Sequence, residues 1–205
     1  MHIWDKIPLH ERRDLLVAWL ALSAAFTLAM VWGQRLDPVI IGQFFIISLV
    51  TAGIAFIVHE MAHKFTAMKY GYWAEFQMNS MMLVVAVAMA ALAGIVFAAP
   101  GATVIYGNYI SREENGKISL AGPVSNLILI IPFAAMIFLG QTTGSAIIAI
   151  IGLVGVKVNA MIAAFNLLPI GPLDGAKILS WNPVIFAGVA LIAFGILFGS
   201  LSGFI

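Results

Sequence analysis

The chain has no cysteine, few charges and no polar linker, and each shortage removes a class of function. Without cysteine, thiolate zinc sites and cysteine nucleophiles are excluded, and no redox compartment is marked. Charged residues make up 9% of the 205 positions and apolar ones 62%, at a mean hydropathy of +1.06. Soluble domains sit near roughly 25% and 45–50%, so this is the composition of an integral membrane protein. The net charge of +1 implies no nucleic acid and no acidic partner, and leaves the basic residues to report orientation in a lipid bilayer. Neither an internal repeat nor a Ser/Gly/Pro-rich stretch divides the chain, so residues 1–205 are expected to form a single domain.

Five apolar runs are long enough for a hydrocarbon core of about 30 Å: Leu15–Trp32, Val39–Lys64, Leu120–Leu139, Ser145–Leu168 and Pro183–Phe204. The first follows Lys6, Arg12 and Arg13 like a signal peptide. Its 18 residues exceed the usual 7–15 or so of such a region, which predicts an uncleaved anchor helix. A sixth run, Met81–Ala99, passes the length test as well. Yet with a cytoplasmic amino terminus, five crossings gather Lys6, Arg12, Arg13, Lys64, Lys69, Arg112, Lys117 and Lys177 on the cytoplasmic side, provided Met81–Ala99 enters and leaves by one face. The expected fold is therefore an α-helical integral membrane protein of five to six transmembrane helices, with a re-entrant or strand-containing insert between the second and third. Gly94, Pro100 and Gly101 would bend the insert, and Thr103, Val104 and Ile105 would favour a strand.

Against this apolar background stands His59-Glu60-Met61-Ala62-His63, the pattern H-E-x-x-H. A spacing of four brings both imidazoles to one helical face a turn apart, where they can ligate one zinc with Glu60 beside it. Chance could produce so short a pattern, but three ionisable residues in a membrane span are costly and usually mark function. A catalytic zinc needs a third protein ligand. Glu75 follows Gly71 in what reads as a polar turn, and Glu113 and Glu114 belong to the polar stretch Ser111–Lys117, which reads as a loop of mutually compensated charge. Asp174 is the stronger candidate, because Pro169, Gly171, Pro172 and Gly175 break a membrane helix around it, and irregular backbone at that depth needs protein or a water-filled cavity beside it. A helix-ending turn with a solvent-facing aspartate is the alternative.

Taken together, the residues resemble the site-2 protease family of intramembrane zinc metalloproteases. The match rests on His59–His63, on Ala121-Gly122-Pro123-Val124-Ser125-Asn126, and on Asn166-x-x-Pro169-x-x-Pro172-Leu173-Asp174-Gly175, and covers the chain from about Val50 to Lys177. The resemblance implies one zinc held by His59, His63 and Asp174, Glu60 as general base, and a site opening toward the cytoplasm; the expected address is the cell membrane. It implies substrates that are membrane-protein helices, cut within or near the bilayer. Asn126 and Asn166 match asparagines that the family keeps near its active site, where either could contact substrate or its oxyanion, or merely bridge packed helices. The expected form is a minimal one without a PDZ or nucleotide-sensing domain.

Hydrolysis requires water at the metal, which predicts a cavity near Lys64, Arg112 and Lys177. It also requires an unwound substrate segment, for which a strand at Gly101–Ile105 would supply hydrogen bonds. The rival class is a membrane metal-ion transporter or sensor using the same His and Asp residues, which leaves Glu60 without a task. A catalytically inactive scaffold is a third possibility.

Overall fold

The computed structural model describes residues 6–96, 101–107 and 109–202. The chain is mostly helical: α1 (Leu9–Val31), α2 (Pro38–Ser48), α3 (Ile54–Lys69), β1 (Trp73–Met78), α4 (Ser80–Ala93), β2 (Gly101–Tyr106), α5 (Arg112–Thr143), α6 (Ala146–Asn166), α7 (Asp174–Trp181) and α8 (Pro183–Leu201). Five stretches are long and apolar enough to cross a membrane: α1, the continuous rod Pro38–Lys69, α5, α6 and α8. Helix α4 has 14 residues and at about 1.5 Å per residue reaches only about 21 Å, short of the roughly 30 Å of a hydrocarbon core. The run Met81–Ala99 thus ends as a helix at Ala93, where Gly94 takes a left-handed φ of 68°. Pro100, expected to bend the insert, and Phe204, the expected end of the last span, lie outside the described residues.

Apolar periodicity gave no warning of the break inside the second rod. Between α2 and α3, Leu49–Gly53 forms a π turn, which inserts a residue and rotates everything after it by about 100° relative to an unbroken helix. Trp19 of α1 donates its indole N–H to the Leu49 carbonyl at 2.9 Å. A Cβ at position 53 would lie 1.9 Å from the Trp19 ring, so only glycine lets the turn sit against α1. The rephased helix then carries His59 and His63 toward α5.

Strands β1 and β2 form an antiparallel pair with Phe76 opposite Thr103. Residues 101, 103 and 105 are half-buried and 102, 104 and 106 exposed, the alternation a half-covered strand requires. Phe76 is fully buried and packs edge-on to Phe56 of α3 at 5.4 Å, in a core shared with Leu22 and Phe26 of α1 and Val158 of α6. On the other side α5 and α6 approach closely through small residues: a Cβ at Gly155 would meet the Phe133 ring at 2.2 Å, and one at Gly152 the Phe133 carbonyl at 2.6 Å. Such packing suits helices that have no hydrophobic drive to associate in lipid. Around this frame large apolar side chains face outward, among them Leu92, Ile131, Leu191 and Phe198.

Two polar segments differ from expectation. Ser111–Lys117 is no loop: Ser111 caps α5 and forms a reciprocal capping box with Glu114, satisfying amides that a helix start leaves open. Glu75 sits on β1 and not in a turn, where it accepts from Trp73 Nε1 at 2.7 Å and pairs with His10 Nε2 at 3.1 Å. The indole bond above all, with His10 behind it, holds its carboxyl below the usual range despite some opposing burial.

Candidate metal centre

Three side chains from two helices meet beside β2. His59 and His63 lie one turn apart on α3, and Asp174 opens α7. The Nε2 atoms of the two imidazoles are 3.0 Å apart, and Asp174 Oδ2 lies 3.3 Å from the first and 3.1 Å from the second. All three residues are buried.

The donor set fits a metal. Nδ1 of His59 donates to Asn126 Oδ1 at 2.7 Å, and Nδ1 of His63 donates to the Ile118 carbonyl at 2.8 Å. With the Nδ1 protons so used, both Nε2 lone pairs face each other and a carboxylate, the tautomer and orientation that metal-bound histidines take from outer partners. A tetrahedral zinc with bonds of about 2.0–2.1 Å has ligand-to-ligand edges of about 3.3–3.4 Å. The observed separations come within a few tenths of an ångström of that. Asp174 Oδ2 faces both Nε2 atoms and supplies the oxygen donor that completes the set.

The backbone makes room for such an ion. A Cβ at Gly122 would lie 2.4 Å from His63 Nε2 and 2.6 Å from His59 Nε2, so α5 crosses the centre with a glycine against the ligands. A Cβ at Gly175 would meet the Leu167 carbonyl at 2.3 Å, which explains how α7 approaches α6 closely enough to deliver Asp174.

Glu60 is bonded to β2. Its Oε2 accepts from the Thr103 amide at 3.0 Å and the Thr103 hydroxyl at 2.9 Å. Two cavities of about 110 Å³ each meet at His59 and Glu60. One is apolar, with Phe26, Phe56, Met161 and Phe165 in its wall; the other reaches past Thr103 to Asp174 and Lys177. Asn166 lines both. Its Nδ2 donates to the Ile162 carbonyl at 3.0 Å, which uses one of two amide hydrogens.

Of its two expected roles, Asn126 takes that of a bridge between packed helices. It is fully buried, and Nδ2 donates to the Ala55 carbonyl and to Asn159 Oδ1, each at 3.1 Å. Both hydrogens are spent, so Asn126 orients His59 and has none for a substrate. Sequence reasoning missed Asn159 of α6 in this role; its own amide donates to the Gly155 carbonyl at 2.8 Å, completing a line from α6 through α5 to the first histidine. Lys177 lines the cavity expected near it; Lys64 is not among the lining residues but is fully buried and paired with Glu11 of α1, because a bare buried ammonium would be costly.

Comparison with known proteins gives two relatives. Over 147 residues the chain is 43% identical to a Methanocaldococcus jannaschii protein named, provisionally, a zinc metalloprotease, covering 72% of this chain and 76% of that one. Over 156 residues it is 28% identical to a Bacillus subtilis protein with the same provisional name, covering 69% and 70%. No family model and no solved structure matches.

Proposed function

This chain belongs to the zinc metalloprotease family of those two relatives, and from that premise we propose that it is an intramembrane protease of the site-2 type. It would hydrolyse a peptide bond within or near the transmembrane segment of a membrane-protein substrate. The observation that carries this is the buried His59, His63 and Asp174 cluster with a glutamate beside it, set on helices apolar enough to span a bilayer. In this assignment the two imidazoles and Asp174 hold one zinc per chain. When bound, zinc supplies Lewis acidity, which polarises a carbonyl and makes water nucleophilic near neutral pH. Glu60 accepts the proton of the attacking water and returns it to the amine that leaves. Asn166, with a spare amide hydrogen at the junction of the cavities, steadies the substrate carbonyl or its oxyanion.

Substrate backbone must leave its helix before it can be cut, since a continuous helix hides its amides in internal bonds. The outer edge of β2 offers replacements. In the observed register the backbone groups of residues 101, 103 and 105 point away from β1, as alternation in an antiparallel pair demands; the Thr103 amide is taken by Glu60, and an extended peptide can add to the outward groups that remain. Placing Gly or Asn near the cut in a single-span test substrate should raise its cleavage rate, and replacing them with Leu should lower it, because unwinding is then costlier by up to about 1 kcal/mol per residue. Equal rates across a series matched for expression and insertion would remove unwinding, and β2, from the mechanism.

The proposed setting is a multi-pass protein of the cell membrane with the metal centre toward the cytoplasm, the lipid bilayer and a substrate helix as its partners and no nucleic acid involved. The lack of native cysteine makes any introduced thiol the sole reporter. Asn115→Cys should react with an impermeant maleimide only from the cytoplasmic side and Thr143→Cys only from outside; labelling of Asn115→Cys from outside would overturn the orientation.

A further inference from the structure

We propose that Thr103 is a positioning residue for Glu60, one that aims the carboxylate by holding a single oxygen. This rests on the assignment of Glu60 as general base. Both Thr103 donors go to Oε2, and no bond to Oε1 is formed among the described residues. Nor is Oε1 sealed away, since among the described residues no buried side-chain oxygen lacks a partner. One oxygen is thus pinned while the other is left unbonded among the described residues, on a side chain that lines both cavities. The hydroxyl also lies 3.1 Å from the Glu60 backbone carbonyl, so a single group ties the carboxylate back to its own turn of α3.

The hairpin is built to keep Thr103 there. Phe76 and Thr103 face each other across the sheet, and their amides point outward in opposite directions. The Phe76 amide donates to Glu11 Oε1 of α1 at 3.0 Å, and the next outward amide of β1, Met78, reaches Asp14 Oδ2 at 3.3 Å. Glu11 and Asp14 are three apart on α1 and so share a face. Glu11 is fixed in turn by Lys64, the residue after the second histidine. The same helix that carries the metal ligands therefore anchors one edge of the sheet through Lys64 and Glu11, and meets the other edge through Glu60 and Thr103. A slip of one residue would turn the hydroxyl to the opposite face.

Thr103→Val keeps the β-branched shape and the amide and removes the hydroxyl, whereas Thr103→Ser restores the hydroxyl. In detergent, with a single-span substrate, Thr103→Val should lower kcat about tenfold or more, leaving KM and zinc content as in the unaltered protein; Thr103→Ser should recover most of the rate. Three results would each overturn the proposal: an unchanged kcat in Thr103→Val, a Thr103→Ser variant no better than Thr103→Val, or loss of zinc from Thr103→Val, which would mark a merely structural role. Failure of the underlying assignment looks different, because Glu60→Gln would then cleave normally whatever Thr103 does.

Discussion

Glu60→Gln is expected to retain one zinc per chain and to lose hydrolysis by about a hundred- to ten-thousandfold, the range a positioned general base contributes. The amide is nearly the same size as the carboxylate and its oxygen can still accept from the Thr103 amide, so the local packing should survive. What it lacks is a basic site for the proton of the attacking water. His59, His63 and Asp174 keep their mutual contacts of 3.0–3.3 Å, so metal content should not change. Elemental analysis of the purified variant beside its cleavage rate separates these outcomes. A rate like that of the unaltered protein would remove Glu60 from the chemistry; loss of zinc with the rate would make Glu60 a ligand instead of a base.

Gly122→Ala is expected to empty the metal centre. The added methyl would lie 2.4 and 2.6 Å from the two Nε2 atoms, inside any van der Waals contact and in the space that the ligands enclose. Neither imidazole can withdraw easily, since their Nδ1 atoms are held by Asn126 and Ile118. Outer-partner losses alone cost about 10- to 100-fold in metal affinity, and a group placed against the ligands should cost at least that, leaving zinc below about a tenth of a mole per chain. Ser125→Ala is the control, because among the described residues the Ser125 hydroxyl bonds only to the Gly122 carbonyl, at 2.7 Å, on the same turn of α5. Its zinc should be unaffected. Helix content and monodispersity in detergent show whether the glycine variant is folded; a folded Gly122→Ala protein with full zinc would contradict the centre described above.

Much of the site was legible in the sequence because it violates its surroundings. His59, Glu60 and His63 interrupt an apolar run, and prolines and glycines break a helix at Asp174, so both signals are local. What escaped is long-range or lacks a period. The π turn at Leu49–Gly53 lies in a run so uniformly apolar that no phase can be read from it. Strand β1 has only six residues, and its partner is separated from it by α4, so nothing local announces the pairing. Glu11 and Lys64 lie 53 residues apart and meet only in the fold. Asn126 and Asn159 likewise lie 33 residues apart, and their bond is what turns Asn126 from a possible substrate donor into a support for His59. The capping box at Ser111 and Glu114 was different: its S-x-x-E signature is visible in the chain, and the density of charge around it made a helix start look like a loop.

The most direct measurement is to reconstitute the protein in sealed vesicles with a single-span substrate, map any cut by mass spectrometry, and follow zinc across the membrane in the same preparation. Expected is a cut inside or at the edge of the substrate's apolar segment, abolished by a chelator and restored by zinc, with no zinc flux. An intact substrate accompanied by zinc crossing the membrane would contradict it and assign the same three ligands to transport.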